Sequence, residues 1–210
     1  MADTREDHDI FWVEPRDRAI IPLGGLHVSK TLRKVLRADR FAVTINTAFG
    51  DVIRACAAPR PGHPESWISG RIVASYQQLH TAGHAHSVEC WNVDADGSRT
   101  LVGGLYGVSF ERVFCGESMF SRADNASKVA LCWLVALLRE AGYALLDCQF
   151  MTDHLATMGA RELPQKDYLK LVEKARGKPQ MLLEEAYRRF ASDDHSSPGK
   201  LIAQSLTQTS

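Results

Sequence analysis

Alternating apolar and polar positions predict a group of extended strands in the middle of the chain. HAHSVECW and TLVGGLYGVSF alternate in this way, DADGS between them has the composition of a tight turn, and RVFCG follows directly. Consecutive strands joined by short turns pair antiparallel, so this region predicts an antiparallel meander. The earlier segment FAVTIN predicts a further strand through its alternation and its β-branched residues.

Helical periodicity flanks these strands on both sides. Ser29 is a predicted N-cap, and a second helix is predicted for SGRIVASYQQLHTAG, with Gly83 near its end. Asn125 is predicted to cap ASKVALCWLVALLREAG, which is apolar almost all round and therefore predicts a buried helix lying on the sheet. Shorter helices are predicted for AFGDVIRACA, HLATMG and QKDYLKLVEKA.

The segment LLDCQF, residues 145–150, is an apolar strand with two polar residues inside it. It follows the buried helix after Gly142, and a helix that leads into a strand in this way predicts a crossover connection. Because side chains alternate along a strand, Asp147 and Gln149 are predicted to share one face, with Cys148 on the other. This polar pair is a candidate site.

The order of these elements predicts an α+β (mixed α/β) fold with the outline of the GNAT acyltransferases. The sequence divides into a small N-terminal segment over residues 1–38, a catalytic domain over 39–190 and a flexible tail over 191–210, with disorder also predicted for residues 1–9. The junction GESMFSRADNASK has one glycine, whereas a GNAT coenzyme A site uses a glycine-rich turn whose N–H groups hold the pyrophosphate. Acyl transfer therefore stays open, while a coenzyme A donor loses support.

Charge and cysteine usage restrict the class of protein further. The 25 basic side chains equal the 25 acidic ones, so any nucleic-acid binding must come from a local patch. The cysteines form no CxxC pair, which indicates reduced thiols in a cytosol-like compartment; they are Cys56, Cys90, Cys115, Cys132 and Cys148. The polar N-terminus has no apolar signal core and no apolar run could span a bilayer, so we expect a cytoplasmic protein without a membrane partner.

Several segments in a fixed order resemble the leucyl/phenylalanyl-tRNA–protein transferases, enzymes that move an amino acid from an aminoacyl-tRNA onto a protein N-terminus. They are FWVEPRDRAIIP, SWI, LHTAGHAHSVECW, LVGGLYGV, VFCGESMFSRADNASKVAL, LLDCQF and DHLATMGARELP. The resemblance covers about residues 11 to 175, and several motifs in order are far more specific than one fingerprint. Members of this family usually carry a longer N-terminal segment with a GIFPW-like stretch, so the resemblance implies a truncated N-terminal subdomain here.

The resemblance implies both substrates and the roles of three polar residues. The expected partners are an aminoacyl-tRNA carrying Leu, Phe or Met and proteins beginning with Arg or Lys, with no cofactor. Transfer would create a degradation signal (an N-degron) on the acceptor protein. The sequence does not determine the oligomeric state, and a monomer is the expectation. Gln149 would hold the incoming α-amino group through its side-chain carbonyl, while Asp147 polarises the Gln149 amide and helps to draw off the proton. Glu117 would hold the amino end or the side chain of the acceptor. A purely structural role is the alternative. Asp147 and Gln149 could be hydrogen-bonded polar groups in the core, and Glu117 could be a solvated turn residue.

The resemblance also implies where the aminoacyl-tRNA binds. The aminoacyl pocket would be wholly apolar and would separate Leu, Phe and Met weakly; it maps to Leu105, Phe114, Leu131, Leu134, Leu138 and Leu146. Trp12 and Trp67 match tryptophans that stack on the terminal adenosine, and a basic helix face matches positions that hold the tRNA backbone, namely Lys30, Arg33, Lys34 and Arg37. A leucine stripe can also be core, a tryptophan an interface anchor and a basic face merely solvated.

Three other hypotheses follow from the sequence. HTAGHAHSVEC contains zinc-ligand types at His80, His84, His86 and Cys90, but no second cluster completes a tetrahedral set, so we expect no metal site. A related acyltransferase using acyl-coenzyme A is a rival enzyme. A catalytically silent module that binds tRNA or protein N-termini is a rival of another class.

Overall fold

The computed structural model describes residues 13–59, 66–192 and 197–207. These residues form one sheet of seven strands and eight helices. The strands are β1 (Asp17–Ile21), β2 (Ala42–Ile45), β3 (Ala85–Val93), β4 (Arg99–Phe110), β5 (Val113–Ser121), β6 (Leu145–Gln149) and β7 (Arg161–Pro164). The helices are α1 (Lys30–Arg37), α2 (Phe49–Ala57), α3 (Gly70–Thr81), α4 (Ala126–Glu140), α5 (Asp153–Thr157), α6 (Gln165–Lys174), α7 (Leu183–Ala191) and α8 (Pro198–Ser205). The predicted α+β class is therefore confirmed.

The strand order is β2-β3-β4-β5-β6-β1-β7, and every neighbouring pair is antiparallel except β5 and β6. The antiparallel meander is confirmed as β3, β4 and β5, with the DADGS turn between the first two. The predicted crossover is also confirmed, because α4 connects β5 to the parallel strand β6.

Alternation along the central strands separates two hydrophobic cores. Leu105 belongs to the core on the α4 face of the sheet, whereas its neighbour Tyr106 packs in the core formed with α2 and α3. The α4 helix is buried along most of its length, as its apolar sequence predicts. No helix among the described residues is long and apolar enough to cross a membrane.

Helix α4 begins where it was predicted, but the cap differs. Asn125 takes a left-handed conformation with a φ of 67°, and its side chain makes no cap hydrogen bond. The Ser127 N–H instead donates to the Ser121 hydroxyl at 3.2 Å, so a side chain from the end of β5 caps the helix.

The described parts of the two terminal segments contain regular structure that packs on the rest of the protein. Over 1–38 the sequence predicts a separate segment, but the described part places β1 between β6 and β7 and packs Leu32 and Leu36 of α1 into the main core. The predicted flexible tail over 191–210 contains helix α8, whose Ile202 is fully buried. Asp39 holds the start of α8, because its carboxylate accepts hydrogen bonds from the Ser197 hydroxyl and, at 2.7 Å, from the Gly199 N–H.

Candidate active site

The parallel strands β5 and β6 separate along their length, and a cavity opens between them. Their pairing ends at Cys115 and Asp147, although β5 continues to Ser121. The released part of β5, residues 116–121, lines a cavity of about 1000 Å³ together with residues 148–150 at the end of β6. A strand that leaves its partner exposes unpaired backbone groups, so this gap is a natural place for a substrate.

The deep wall of the cavity is apolar. Leu105, Leu131, Leu134 and Leu146, four of the six residues predicted for an aminoacyl pocket, line it. Phe114 and Leu138 do not line it. Both are fully buried in the core on the α4 face, where Phe114 lies beside His86 with ring centroids 6.4 Å apart.

Gln149 presents its side-chain amide to the cavity from an unusual backbone conformation. Its φ is 64°, in the left-handed region that residues with a Cβ rarely adopt. The amide Nε2 donates to the Gly116 carbonyl at 3.1 Å and to the Glu117 carboxylate at 2.8 Å, bridging the gap between β6 and β5. Both donors of the amide are thus engaged by the protein, which directs the remaining group, the carbonyl Oε1, to a substrate.

Glu117 carries the one carboxylate among the described residues that line the cavity. Burial raises the pKa of Glu117, while hydrogen bonds from Gln149 and Tyr76 act in the opposite direction. The raised pKa makes this carboxylate a stronger base than an exposed glutamate and suits it to accept a proton from a bound amine.

Asp147 does not line the cavity that Gln149 lines, although both side chains come from β6. Its side chain is fully buried on the side of the sheet that α6 covers, and it does not line the cavity. Asp147 nevertheless lies close to the Gln149 amide, because, in addition to burial, its charge raises the pKa of Glu117, the carboxylate to which that amide donates. The two residues still touch through the main chain, where the Gln149 N–H donates to Asp147 Oδ1 at 2.8 Å.

The Asp147 carboxylate is held by four protein donors. Its Oδ2 accepts from the Arg18 guanidinium, from the Tyr168 hydroxyl at 2.9 Å and from the Cys115 thiol at 3.5 Å. Burial raises the pKa of the Cys115 thiol, which keeps it protonated and able to donate. With the main-chain bond at Oδ1, the carboxylate accepts four hydrogen bonds from the protein, three of them at Oδ2.

The predicted tRNA contacts are only partly placed by the structure. Trp67 lines the cavity near Tyr76, on the side formed by α2 and α3, whereas Trp12 lies outside the described residues. The predicted basic face is found on α1: Lys30, Lys34 and Arg37 are exposed and Arg33 is half-buried. None of these four residues lines the cavity.

Two of the three histidines considered as metal ligands, His80 and His86, take part in hydrogen bonds. His80 Nδ1 lies 2.8 Å from the Ala85 carbonyl, and His86 contacts Asn46 and Ser109 at 3.0 and 3.1 Å. Within the described ranges, no group of three His, Cys, Asp or Glu side chains could hold a metal ion. All five cysteines are free.

Sequence reasoning missed three side chains that shape the site: Arg18 on β1, Tyr76 on α3 and Tyr168 on α6. The sequence did contain a signal for Arg18. In DRAII this cation directly precedes the apolar residues of β1, and a cation that enters a buried strand needs a buried anion as its partner. Tyr76 and Tyr168 lie on amphipathic helices, and nothing in their local sequence distinguishes them from core tyrosines.

Comparison of the sequence with known proteins identifies the family of this chain. The sequence model of the leucyl/phenylalanyl-tRNA protein transferases matches residues 20–173. A protein of that name from Novosphingobium aromaticivorans is 51% identical, with 100% of this chain and 91% of the relative covered. One from Phenylobacterium zucineum is 47% identical, again with 100% of this chain and 91% of the relative covered. One from Rhodopseudomonas palustris is 54% identical over 82% of this chain and 75% of the relative. The chain belongs to the leucyl/phenylalanyl-tRNA–protein transferase family.

Proposed function

We propose that this protein transfers Leu, Phe or Met from an aminoacyl-tRNA to the α-amino group of proteins that begin with Arg or Lys, creating an N-degron. The observation that carries the proposal is the pair Gln149 and Glu117 at the edge of an apolar cavity, in a chain of this family. Because its donor is a charged tRNA, the enzyme acts in the cytoplasm, where that substrate is made.

The donor binds with its aminoacyl side chain against the leucines of the cavity. Four leucines give a surface that accepts large apolar side chains and penalises charged or strongly polar ones. Trp67 lines the same cavity and offers a ring on which the terminal adenine stacks. The exposed basic residues of α1 hold the tRNA backbone away from the cavity.

The reaction needs no covalent nucleophile on the enzyme. The lone pair of the acceptor amine attacks the ester carbonyl carbon, and the tetrahedral intermediate collapses by breaking the bond to the ribose oxygen. Gln149 Oε1 accepts a hydrogen bond from the amine and aims its lone pair, while Glu117 takes the proton that the amine loses. The ribose oxygen is protonated as it leaves, so one proton moves from amine to alcohol overall.

The Arg or Lys preference rests on the charge of the cavity. Among the described residues Glu117 is the carboxylate that lines it, and Asp147 is paired with Arg18. A cationic acceptor end is attracted to Glu117, while an acidic first residue is repelled.

The direct test uses charged leucyl-tRNA and a peptide that begins with Arg, with mass spectrometry to find Leu at the new N-terminus. We expect transfer by the parent protein, a loss of about 100-fold in kcat for Gln149→Ala, and normal kcat for Gln78→Ala, an exposed glutamine on α3. No transfer from leucyl-, phenylalanyl- or methionyl-tRNA would refute the proposal, and normal turnover by Gln149→Ala would refute the site.

Acceptor choice is tested separately with peptides that differ only in the first residue. Arg and Lys peptides are expected to be substrates, and Asp, Glu and Ala peptides are not. Glu117→Gln should lower kcat/KM for the Arg peptide because it removes both the charge and the base. Efficient transfer to acidic N-termini would contradict the charge argument while leaving the donor chemistry in place.

A further inference from the structure

We propose that Arg18 and Tyr168 are positioning residues for this reaction, acting through Asp147 to hold Gln149 in its left-handed backbone conformation. The inference rests on the proposed function, because it assigns the roles of residues around the same site. Neither residue lines the cavity, so neither touches a substrate there.

The first step of the argument is the strain at Gln149. A residue with a Cβ at a φ of 64° lies in a sparsely populated conformation, which persists only where surrounding contacts fix it. The contact that holds its main chain is the 2.8 Å hydrogen bond from the Gln149 N–H to Asp147 Oδ1, beside the side-chain bonds to Gly116 and Glu117. If the carboxylate rotated away, this bond would be lost and the glutamine would be free to relax into an extended strand conformation.

An extended conformation at residue 149 would change the function of the site. A change from the left-handed to the extended region would redirect the Cα–Cβ bond of residue 149, and with it the glutamine side chain. The amide could no longer bridge to Gly116 and Glu117, and its carbonyl would no longer reach the amine. Turnover therefore depends on the orientation of the Asp147 carboxylate.

Arg18 and Tyr168 set that orientation from the opposite side. Both donate to Asp147 Oδ2, which leaves Oδ1 pointing to the Gln149 N–H. They also support each other, because the Arg18 guanidinium lies 4.8 Å from the centre of the Tyr168 ring. The carboxylate is fully buried, so no solvent competes for these bonds.

The test is Tyr168→Phe, which removes one hydroxyl and leaves the ring below Arg18. We expect kcat to fall about ten-fold while KM for aminoacyl-tRNA changes less than about two-fold, because Gln149 acts on the attacking amine and not on donor binding. Tyr187→Phe is the matched control: its hydroxyl also makes one hydrogen bond, 2.8 Å to the Val43 carbonyl, away from the cavity. That variant should keep its kcat.

A double variant separates positioning from general destabilisation. If Tyr168 acts through Gln149, adding Tyr168→Phe to Gln149→Ala should lower kcat no further, whereas an independent structural effect would multiply the two losses. Arg18→Lys keeps the charge but loses the planar guanidinium group. It should likewise lower kcat by itself and lower it no further in the Gln149→Ala background.

The outcomes are distinguishable from failure of the proposed function. A parent protein without transfer activity would refute the function itself. If the unsubstituted protein is active, any of three results would refute the positioning role alone. The kcat of Tyr168→Phe could be unchanged, or its loss could equal that of Tyr187→Phe. Alternatively, Tyr168→Phe could still lower kcat ten-fold in the Gln149→Ala background.

Discussion

His86 lies in a buried hydrogen-bond network whose geometry determines its protonation state. The Ser87 N–H donates to Asn46 Oδ1 at 2.9 Å, so the other end of that amide is its NH₂ group. This group donates to Glu184 and, at 3.0 Å, to His86 Nδ1, which must therefore be an acceptor. The neutral ring then carries its proton on Nε2 and donates to Ser109 at 3.1 Å. This histidine is an interior hydrogen-bond partner and does not activate the serine.

The network predicts a pH dependence of stability. Burial lowers the pKa of His86 from its ordinary value of 6.5, although Glu184 opposes the shift; His80 and His84 add to it. As the pH falls below 6.5, the unfolded chain binds the proton first, so the free energy of unfolding decreases until folded His86 is itself protonated. Each unit of pKa difference contributes about 1.4 kcal/mol.

Urea unfolding between pH 7.5 and about pH 5 measures this effect. His86→Gln should flatten the acid side of the profile, whereas His84→Gln, which removes only the smallest of the named contributions to the shift, should change it much less. Identical acid slopes in the parent and His86→Gln would contradict the assignment of a neutral buried ring.

Among single residues, the sequence pointed to the right place but not to the right contacts. Polar residues in the apolar strand LLDCQF indicated a site, and Gln149 does line the cavity. The partners of Asp147 were not predictable, because its donors Arg18 and Tyr168 lie 129 and 21 positions away along the chain. Alternation rules assume a regular strand and cannot reveal where the strand ends in a left-handed turn.

At the scale of elements, the close approach of β4 and α4 depends on glycine. A Cβ at Gly103 would lie 2.5 Å from the Ala126 Cβ and 3.0 Å from the Ala126 carbonyl carbon, where α4 begins. Gly103→Ala should therefore lower the free energy of unfolding by about 1–3 kcal/mol, because the helix must shift from the sheet. Gly70→Ala is the control, since nothing lies within 4 Å of the added Cβ and the position is the first turn of α3. Equal stability of the two variants in urea would contradict this packing.

Helix α8 is the element for which composition gave the wrong prediction. Its flanks are rich in Ser, Asp and Thr, which are typical of disorder, but PGKLIAQS is short and its few apolar residues are enough to reach the core. Asp39, far away in the sequence, supplies the hydrogen bonds that start the helix. Local composition cannot report a distant cap, so this element becomes visible only in the tertiary structure.

Packing of α8 predicts a cost for a truncated side chain. Ile202 is fully buried, in one core with α1 and α4, so Ile202→Ala should lower the free energy of unfolding by about 2–5 kcal/mol. Gln204→Ala, at an exposed position of the same helix, should change it by less than about 0.5 kcal/mol. A flexible tail would give two variants of equal stability in the same urea titration.

For the whole molecule, the balance of charge matters less than its distribution. The chain has no net charge, yet α1 presents Lys30, Lys34 and Arg37 to solvent without an acidic residue in its first turn. The apolar side of the same helix packs into the core, which fixes the direction of the charged side relative to the sheet. The sequence predicted this face, but only the structure distinguishes its three exposed cations from the half-buried Arg33.

Reversing two of these exposed charges tests how the molecule recognises a large donor. Lys34→Glu combined with Arg37→Glu should raise KM for leucyl-tRNA about ten-fold or more at low salt, because two phosphate contacts are replaced by repulsion. The same pair should leave kcat/KM for a leucyl ester of adenosine unchanged, since that donor has no tRNA backbone to reach α1. Lys166→Glu with Lys178→Glu, both exposed on or after α6, makes the same change in net charge and controls for long-range repulsion. Equal losses on both donors, or equal effects of the two pairs, would mean that α1 does not contact tRNA.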